Sequence, residues 1–175
     1  MTAEDRFDCI VVGGGVAGLT AAYRLAKAGL EVVLVERGSN AGNKNMTGGR
    51  LYAHSLEKVL PSFAQRAPVE RRIVHERVCM LTDDAQVAID FHEGREQSPQ
   101  TASYSVLRNV FDSWLAEEAE AAGVEIITGI RVDELLIRDG VVCGVVAGDD
   151  ELEAKLTILA DGVNSLLAQK AGLRK

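Results

Sequence analysis

The sequence is poor in cysteine. Cys9, Cys79 and Cys143 are only three, an odd number, far apart and without a C-x-x-C pair. Such spacing offers neither a disulfide framework nor a metal or iron–sulfur site, and it suits a reducing cytoplasm. Positive charge is also in deficit: 19 Lys and Arg face 26 Asp and Glu, a formal charge of -7. Broad electrostatic binding to nucleic acid or to an anionic membrane is therefore disfavoured, and an anionic ligand needs a local site. No apolar run approaches the roughly 18 residues of a membrane-spanning helix. The first eight residues hold Glu4, Asp5, Arg6 and Asp8, which is not the pattern of a signal peptide. Peripheral membrane contact through a folded surface stays compatible with all of this. Internal repeats and low-complexity tracts are missing as well.

What is present is enough apolar material for a core: 47% of the 175 residues are hydrophobic and 26% charged, which suits one folded domain, or one with a second left incomplete. Phe7 to Val12 and Glu31 to Glu36 are short apolar runs rich in β-branched residues, the pattern of buried parallel strands. Between them Val16, Leu19, Ala22, Tyr23 and Ala26 share one face at helical spacing, and Gly29 follows as a stop. A right-handed crossover of this kind puts the glycine turn at the carboxyl edge of the sheet, where open α/β folds bind ligands.

Beyond this unit, Gly38 to Arg50 has loop composition, and a helix is expected from about Tyr52 to Leu60, ended by Pro61. Strands are expected at Arg72 to Leu81 and Gln86 to Phe91, with a polar loop from His92 to Ser103. Val106 to Ala122 predicts an amphipathic helix burying Val110, Trp114, Leu115 and Ala119, and a strand follows at Val124 to Thr128. Arg131 to Ile137 and Val141 to Val146, joined by Asp139-Gly140, predict a hairpin, and Leu152 to Ala160 a further strand returning to the main sheet. A short helix is expected after Gly162. The whole reads as an α/β Rossmann-like domain over 1–175, with 71–105 part of an inserted β region and 129–155 a hairpin or meander. His54 and His75 have no nucleophile or acid at a telling spacing and read as structural.

Chemistry concentrates in two places. Gly13-Gly14-Gly15-Val16-Ala17-Gly18 satisfies G-x-G-x-x-G between a strand and a helix, and Glu36 ends the next strand. Gly13 permits the tight turn, Gly15 lets a diphosphate approach the backbone, and Gly18 lets helix pack on strand, while Glu36 is placed to accept from both ribose hydroxyls. The helix N-terminus adds about half a positive charge. Arg37 and Lys44 are the nearest cations, with solvated surface residues as the competing reading. The second place is Ala160-Asp161-Gly162, at the end of the apolar run Leu156 to Ala160. Asp161 there is a candidate to orient a ribityl or diphosphate group, and Asn164 and Ser165 are candidates to cap the last helix.

These residues resemble the flavoprotein oxidoreductases of the glutathione-reductase-like FAD class over essentially the whole chain. The segment Asn43 to Tyr52 resembles more narrowly the FixC group, relatives of electron-transfer flavoprotein:ubiquinone oxidoreductase. The resemblance implies FAD as cofactor, with Gly42 through Gly49 running along the flavin and Gly48 and Gly49 nearest its ring edge. It also implies that Arg108 lies near the flavin and its ribityl phosphate, and that Val132 contacts adenine through its backbone. Electrons would come from electron-transfer flavoprotein and pass to a ferredoxin-like protein or a quinone, with the flavin performing the chemistry. About four parallel strands are found where such folds use five or six, so the fold reads as cut short before a substrate domain. A geranylgeranyl-reductase-like or aromatic-hydroxylase-like flavoenzyme is the alternative enzyme reading. A nucleotide-binding module without turnover is the alternative outside enzymes.

Overall fold

The computed structural model describes residues 6–92 and 101–174. They form two compact units, one of Met1–Met46 with Arg108–Lys175 and the other of Thr47–Leu107.

The chain opens with strand β1 (Phe7–Val12), helix α1 (Val16–Lys27) and strand β2 (Val32–Glu36). Strands β1 and β2 are parallel, Ile10 against Val33 and Val12 against Val35. Val32 to Val35 and Cys9 to Val12 are all buried, which explains why both strands read as unbroken apolar runs: each sheet face is covered, so polar alternation has no place.

The second unit contains β3 (Gly48–Tyr52), a short helix α2 (Ala53–Leu56), β4 (Val69–Arg72), β5 (His75–Leu81), β6 (Gln86–His92) and β7 (Ser103–Leu107). Strands β3, β7 and β4 form one antiparallel sheet in that order, and β5 and β6 form a separate hairpin. Several local expectations are corrected here. Gly48 to Arg50 is strand rather than loop, and Tyr52 ends that strand rather than starting a helix, since the partner β7 lies far along the chain and no local pattern announces it. The helix before Pro61 is only one turn, Ala53–Leu56, and a 3-10 turn at Phe63–Gln65 follows. Arg72 to Leu81 is two strands, broken at Ile73 and Val74. Residues 93–100 of the expected polar loop lie outside the described residues, and its end, from Ser103, is strand β7.

Returning to the first unit, the chain forms helix α3 (Arg108–Ala121), β8 (Glu125–Thr128), β9 (Glu134–Arg138), β10 (Val141–Ala147), β11 (Asp150–Leu159) and helix α4 (Leu166–Lys170). The main sheet runs β8-β2-β1-β11-β10-β9, with the first four strands parallel and the last two joined antiparallel. This is the expected α/β fold. Asp139 (φ 52°) and Gly140 (φ 78°) turn the β9–β10 hairpin, the pair of positive angles that a two-residue type I′ loop needs. Helix α3 starts two residues later than expected because Val106 and Leu107 pair in β7. Its buried stripe is Phe111, Asp112, Leu115 and Ala119; Val110 is exposed and Trp114 half-buried. One core layer gathers Ile10, Val12, Val33, Val35, Val145, Ala154 and Leu167. Burying a side chain of this size contributes about 1.5–3 kcal/mol, so the central strands hold the site rigidly. Among the described residues no helix is long and apolar enough to cross a membrane.

Candidate functional site

Strands β1, β2 and β11 are parallel neighbours, so their carboxyl ends deliver Gly13, Glu36 and Ala160 to one edge. The bend after β1 is fixed by the Gly13 amide donating to the Val35 carbonyl at 2.9 Å. Gly13 has φ 111°, and a Cβ there would overlap the Ala160 carbonyl oxygen, with the carbonyl carbon only 2.9 Å away. A Cβ on Gly18 would overlap the Gly13 carbonyl oxygen, and one on Gly14 would stand 3.1 Å from the Glu36 Cβ and Cγ. These three glycines answer to protein neighbours. Gly15 does not: its φ of -85° suits any residue, and a Cβ there meets nothing within 4 Å. The space that Gly15 leaves open belongs to a cleft.

That cleft has a volume of about 290 Å³. Gly13, Gly14 and Gly15 form its floor, with Glu36 and Arg37 from the end of β2, Lys44 and Asn45 from the following loop, and Ala160, Asp161 and Gly162 after β11. Ile130, Arg131, Val132, Leu166 and Leu167 supply further wall. Helix α1 starts at this floor with no side-chain bond from its N-cap Gly15 and no acid in its first turn, so the positive end of its dipole faces the cleft beside Glu36. Arg37 and Lys44 add cationic charge within a chain that is acidic as a whole, and Arg131 is paired with Asp133.

Glu36 is held in place by the turn itself. Its Oε2 accepts from the Gly14 amide at 2.7 Å and its Oε1 from the Gly38 amide at 2.6 Å. A carboxylate has about four acceptor positions, so two remain for a ligand. Asp161 also has a duty within the chain: its Oδ2 accepts from the Leu167 amide at 2.9 Å and so caps α4. The expected caps behave differently. Ser165 makes no cap bond and donates instead to the Gly162 carbonyl at 2.6 Å, and Asn164 lines the cleft.

Of the residues singled out from sequence, Gly13, Gly15, Glu36, Arg37, Lys44, Val132, Ala160, Asp161 and Gly162 line this cleft. Val16, Ala17 and Gly18 form the first turn of α1 beside it. Gly48 and Gly49 are in β3 of the second unit, where they pair with Leu107 and Val106. The Arg108 guanidinium is engaged by Asp112, with Nε and Nη2 each 2.8 Å from a carboxylate oxygen. That hydrogen-bonded carboxylate raises the Arg108 pKa above its ordinary value. Asp112 is fully buried and also accepts from Asn45 Nδ2 at 2.6 Å. This pins the loop that carries Lys44. Sequence reasoning missed the apolar wall of Ile130, Leu166 and Leu167, and it missed Arg131; nothing local distinguishes these from ordinary strand-end and helix residues.

The family model for FAD dependent oxidoreductases matches residues 8–173. The chain belongs to that family. Among curated relatives, Protein FixC of Escherichia coli strain K12 is 57% identical over 173 residues, covering 99% of this chain and 40% of the relative. Protein FixC of Salmonella typhi shows the same 57% over 173 residues. The Escherichia coli protein YdiS, named a probable electron transfer flavoprotein-quinone oxidoreductase, is 55% identical over 171 residues, 98% of this chain and 40% of the relative. The chain thus spans 40% of the length of these curated relatives. Among solved structures, a geranylgeranyl bacteriochlorophyll reductase-like protein from Thermoplasma acidophilum superposes with a TM-score of 0.79 at 24% identity, covering 97% of this chain and 43% of that one. A myxobacterial chondrochloren halogenase gives a TM-score of 0.78 at 23% identity, over 94% of this chain and 39% of that one. These structures share the fold of the FAD-dependent oxidoreductases, and FAD is the family's cofactor.

Proposed function

We propose that this chain is the FAD-holding part of an oxidoreductase that takes electrons from electron-transfer flavoprotein and delivers them to a quinone or a ferredoxin-like acceptor. The observation that carries the reading is the open position at Gly15. Three glycines of the motif answer to neighbouring protein atoms, and the fourth leaves empty space at an uncapped helix end. A diphosphate fits such a cradle, because backbone N–H groups and the helix dipole both favour its charge. Glu36 is already oriented by two amides, with acceptor capacity left for ribose hydroxyls. Arg37 and Lys44 lower the cost of bringing an anionic dinucleotide to an acidic chain, whereas Arg131 is already paired with Asp133. Val132 lines the cleft where its backbone would meet the adenine, as the resemblance implies, and Asp161 and Gly162 line it beyond β11. Gly48, Gly49 and Arg108 would serve the flavin end of the cofactor, as the resemblance implies.

Bound FAD supplies the redox chemistry. The part played by this chain is to bind and orient it. The choice of electron-transfer flavoprotein as donor and of quinone as acceptor rests on the name carried by YdiS and on its 55% identity to this chain.

The test has two stages. Purified protein is titrated with FAD and its flavin absorbance and stoichiometry are read; one FAD per chain is expected, and none at saturating FAD removes the cofactor assignment. Reduced electron-transfer flavoprotein is then added anaerobically to the FAD-loaded protein at its natural length. Bleaching of the second flavin is expected, and a flavin that stays oxidised under electron-transfer flavoprotein but bleaches with dithionite rejects the donor.

A further inference from the structure

On the hairpin of the second unit, well apart in sequence from every motif above, His75 opens β5 and His92 closes β6, and the two are directly paired across the strands. Residues opposite one another in an antiparallel pair project from the same face, and here the rings stack, with centroids 3.7 Å apart and planes 15° from parallel. Asp90 is two residues before His92, so strand alternation returns it to that face. Its Oδ1 is 2.9 Å from His75 Nε2. One donor atom from each of His75, Asp90 and His92 lies within 4.8 Å of the others, and all three side chains are exposed.

We propose that His75, Asp90 and His92 form a binding site for a divalent transition cation of the imidazole-preferring class, Zn²⁺ being its representative. Around a tetrahedral zinc with bonds of about 2.0–2.1 Å, donor atoms stand roughly 3.3 Å apart. The three donors lie within 4.8 Å of one another on exposed side chains, and binding requires the stacked imidazoles to turn so that each aims a ring nitrogen at the ion. Two imidazoles and one carboxylate form a donor set that zinc accepts, with a coordination position left for water. Among the described residues the cation has one competitor: Arg77 holds both Asp90 oxygens, Nε at 2.8 Å and Nη2 at 2.9 Å. Occupancy therefore requires Asp90 to turn from the guanidinium to the metal. His75 and His92 stand at the open end of the hairpin, away from the Thr82–Ala85 turn. A bound ion there fastens the two strands where they enter and leave. The spacing along the chain conceals the pair, since only the antiparallel register brings the two histidines together.

Isothermal titration of the metal-free chain with Zn²⁺ tests this, in a Cys79→Ser background to remove the thiol exposed on the same hairpin. One Zn²⁺ per chain is expected. His75→Ala and His92→Ala should each weaken binding by roughly tenfold or more, because a lost ligand costs at least what a lost outer-shell partner does. Arg77→Gln should tighten it, because Asp90 is released. Should an alanine variant lose its far-UV circular dichroism, Asp90→Asn keeps the shape and should still weaken binding. No binding in the parent, an affinity unchanged in the two histidine variants, or an Arg77→Gln protein that binds no more tightly overturns the proposal.

Discussion

Gly13 and Ala160 are in contact where two parallel strands end, with no room for a side chain between them: a Cβ on Gly13 would overlap the Ala160 carbonyl oxygen. The glycine turn and the Ala160-Asp161-Gly162 segment are therefore one packed unit. Gly13→Ala meets both this overlap and a φ of 111°, a region costly for any residue with a Cβ. A loss of about 2–4 kcal/mol is expected, read as a lowered urea midpoint with unchanged slope. A stability equal to the parent's would mean that the strands do not meet in this way.

Gly15→Val should behave in the opposite manner. Its backbone angles suit valine and its Cβ meets no protein atom, so the thermal midpoint should stay close to the parent's. Flavin retention should be lost, because the new side chain occupies the cradle. Parent-like flavin content in a folded Gly15→Val protein would remove the diphosphate from this turn.

How much of this was legible beforehand depended on distance along the chain. The unit β1-α1-β2 and the cleft residues Gly13, Glu36 and Asp161 follow from local runs and turn chemistry. Strand β3 did not, because Gly48-Gly49-Arg50 has loop composition and becomes strand only through β7. Helix α3 was found and Leu115 and Ala119 are buried as expected, yet Phe111 and Asp112 take the places given to Val110 and Trp114, and Asp112 is buried because Arg108 and Asn45 satisfy it. A buried carboxylate with partners on two segments cannot be deduced from periodicity.

Glu36→Ala removes the acceptor of the Gly14 and Gly38 amides together with the proposed ribose contacts. Affinity for FAD should fall by about 1.5–3 kcal/mol, the scale of hydrogen bonds to a charged group. Equilibrium dialysis of FAD against FMN checks the assignment, since FMN has no adenosine. A parent protein that binds the two equally would exclude Glu36 as the adenosine-end ligand.

Asp112→Ala strands the Arg108 guanidinium and releases Asn45 from the core. Removing one partner of a buried ion pair costs about 3–5 kcal/mol, and partial exposure of Arg108, at 29%, places the effect at the low end. Because Lys44 and Asn45 line the cleft, FAD retention should fall as well. Denaturant titration and flavin content are the two measurements, and a variant with parent stability would show that the pair is not part of the folded core.

Asp8 ties three segments together at the amino end of the sheet. It accepts from Lys155 Nζ at 2.7 Å on β11 and from the Glu31 amide at 2.9 Å ahead of β2. The Lys155 hydrogen bond first, and the Glu31 amide second, hold its carboxyl below the ordinary aspartate value. A carboxyl depressed in the folded state stabilises the fold above its unfolded pKa, near about 3.9, and that contribution is lost as pH falls through the lower folded value. Asp8→Asn should accordingly melt below the parent at neutral pH, and the gap should close progressively as pH falls below about 4. Melting curves of the two proteins across that window read the effect directly, and a gap that stays constant with pH would mean that the charge on Asp8 contributes nothing to joining these strands.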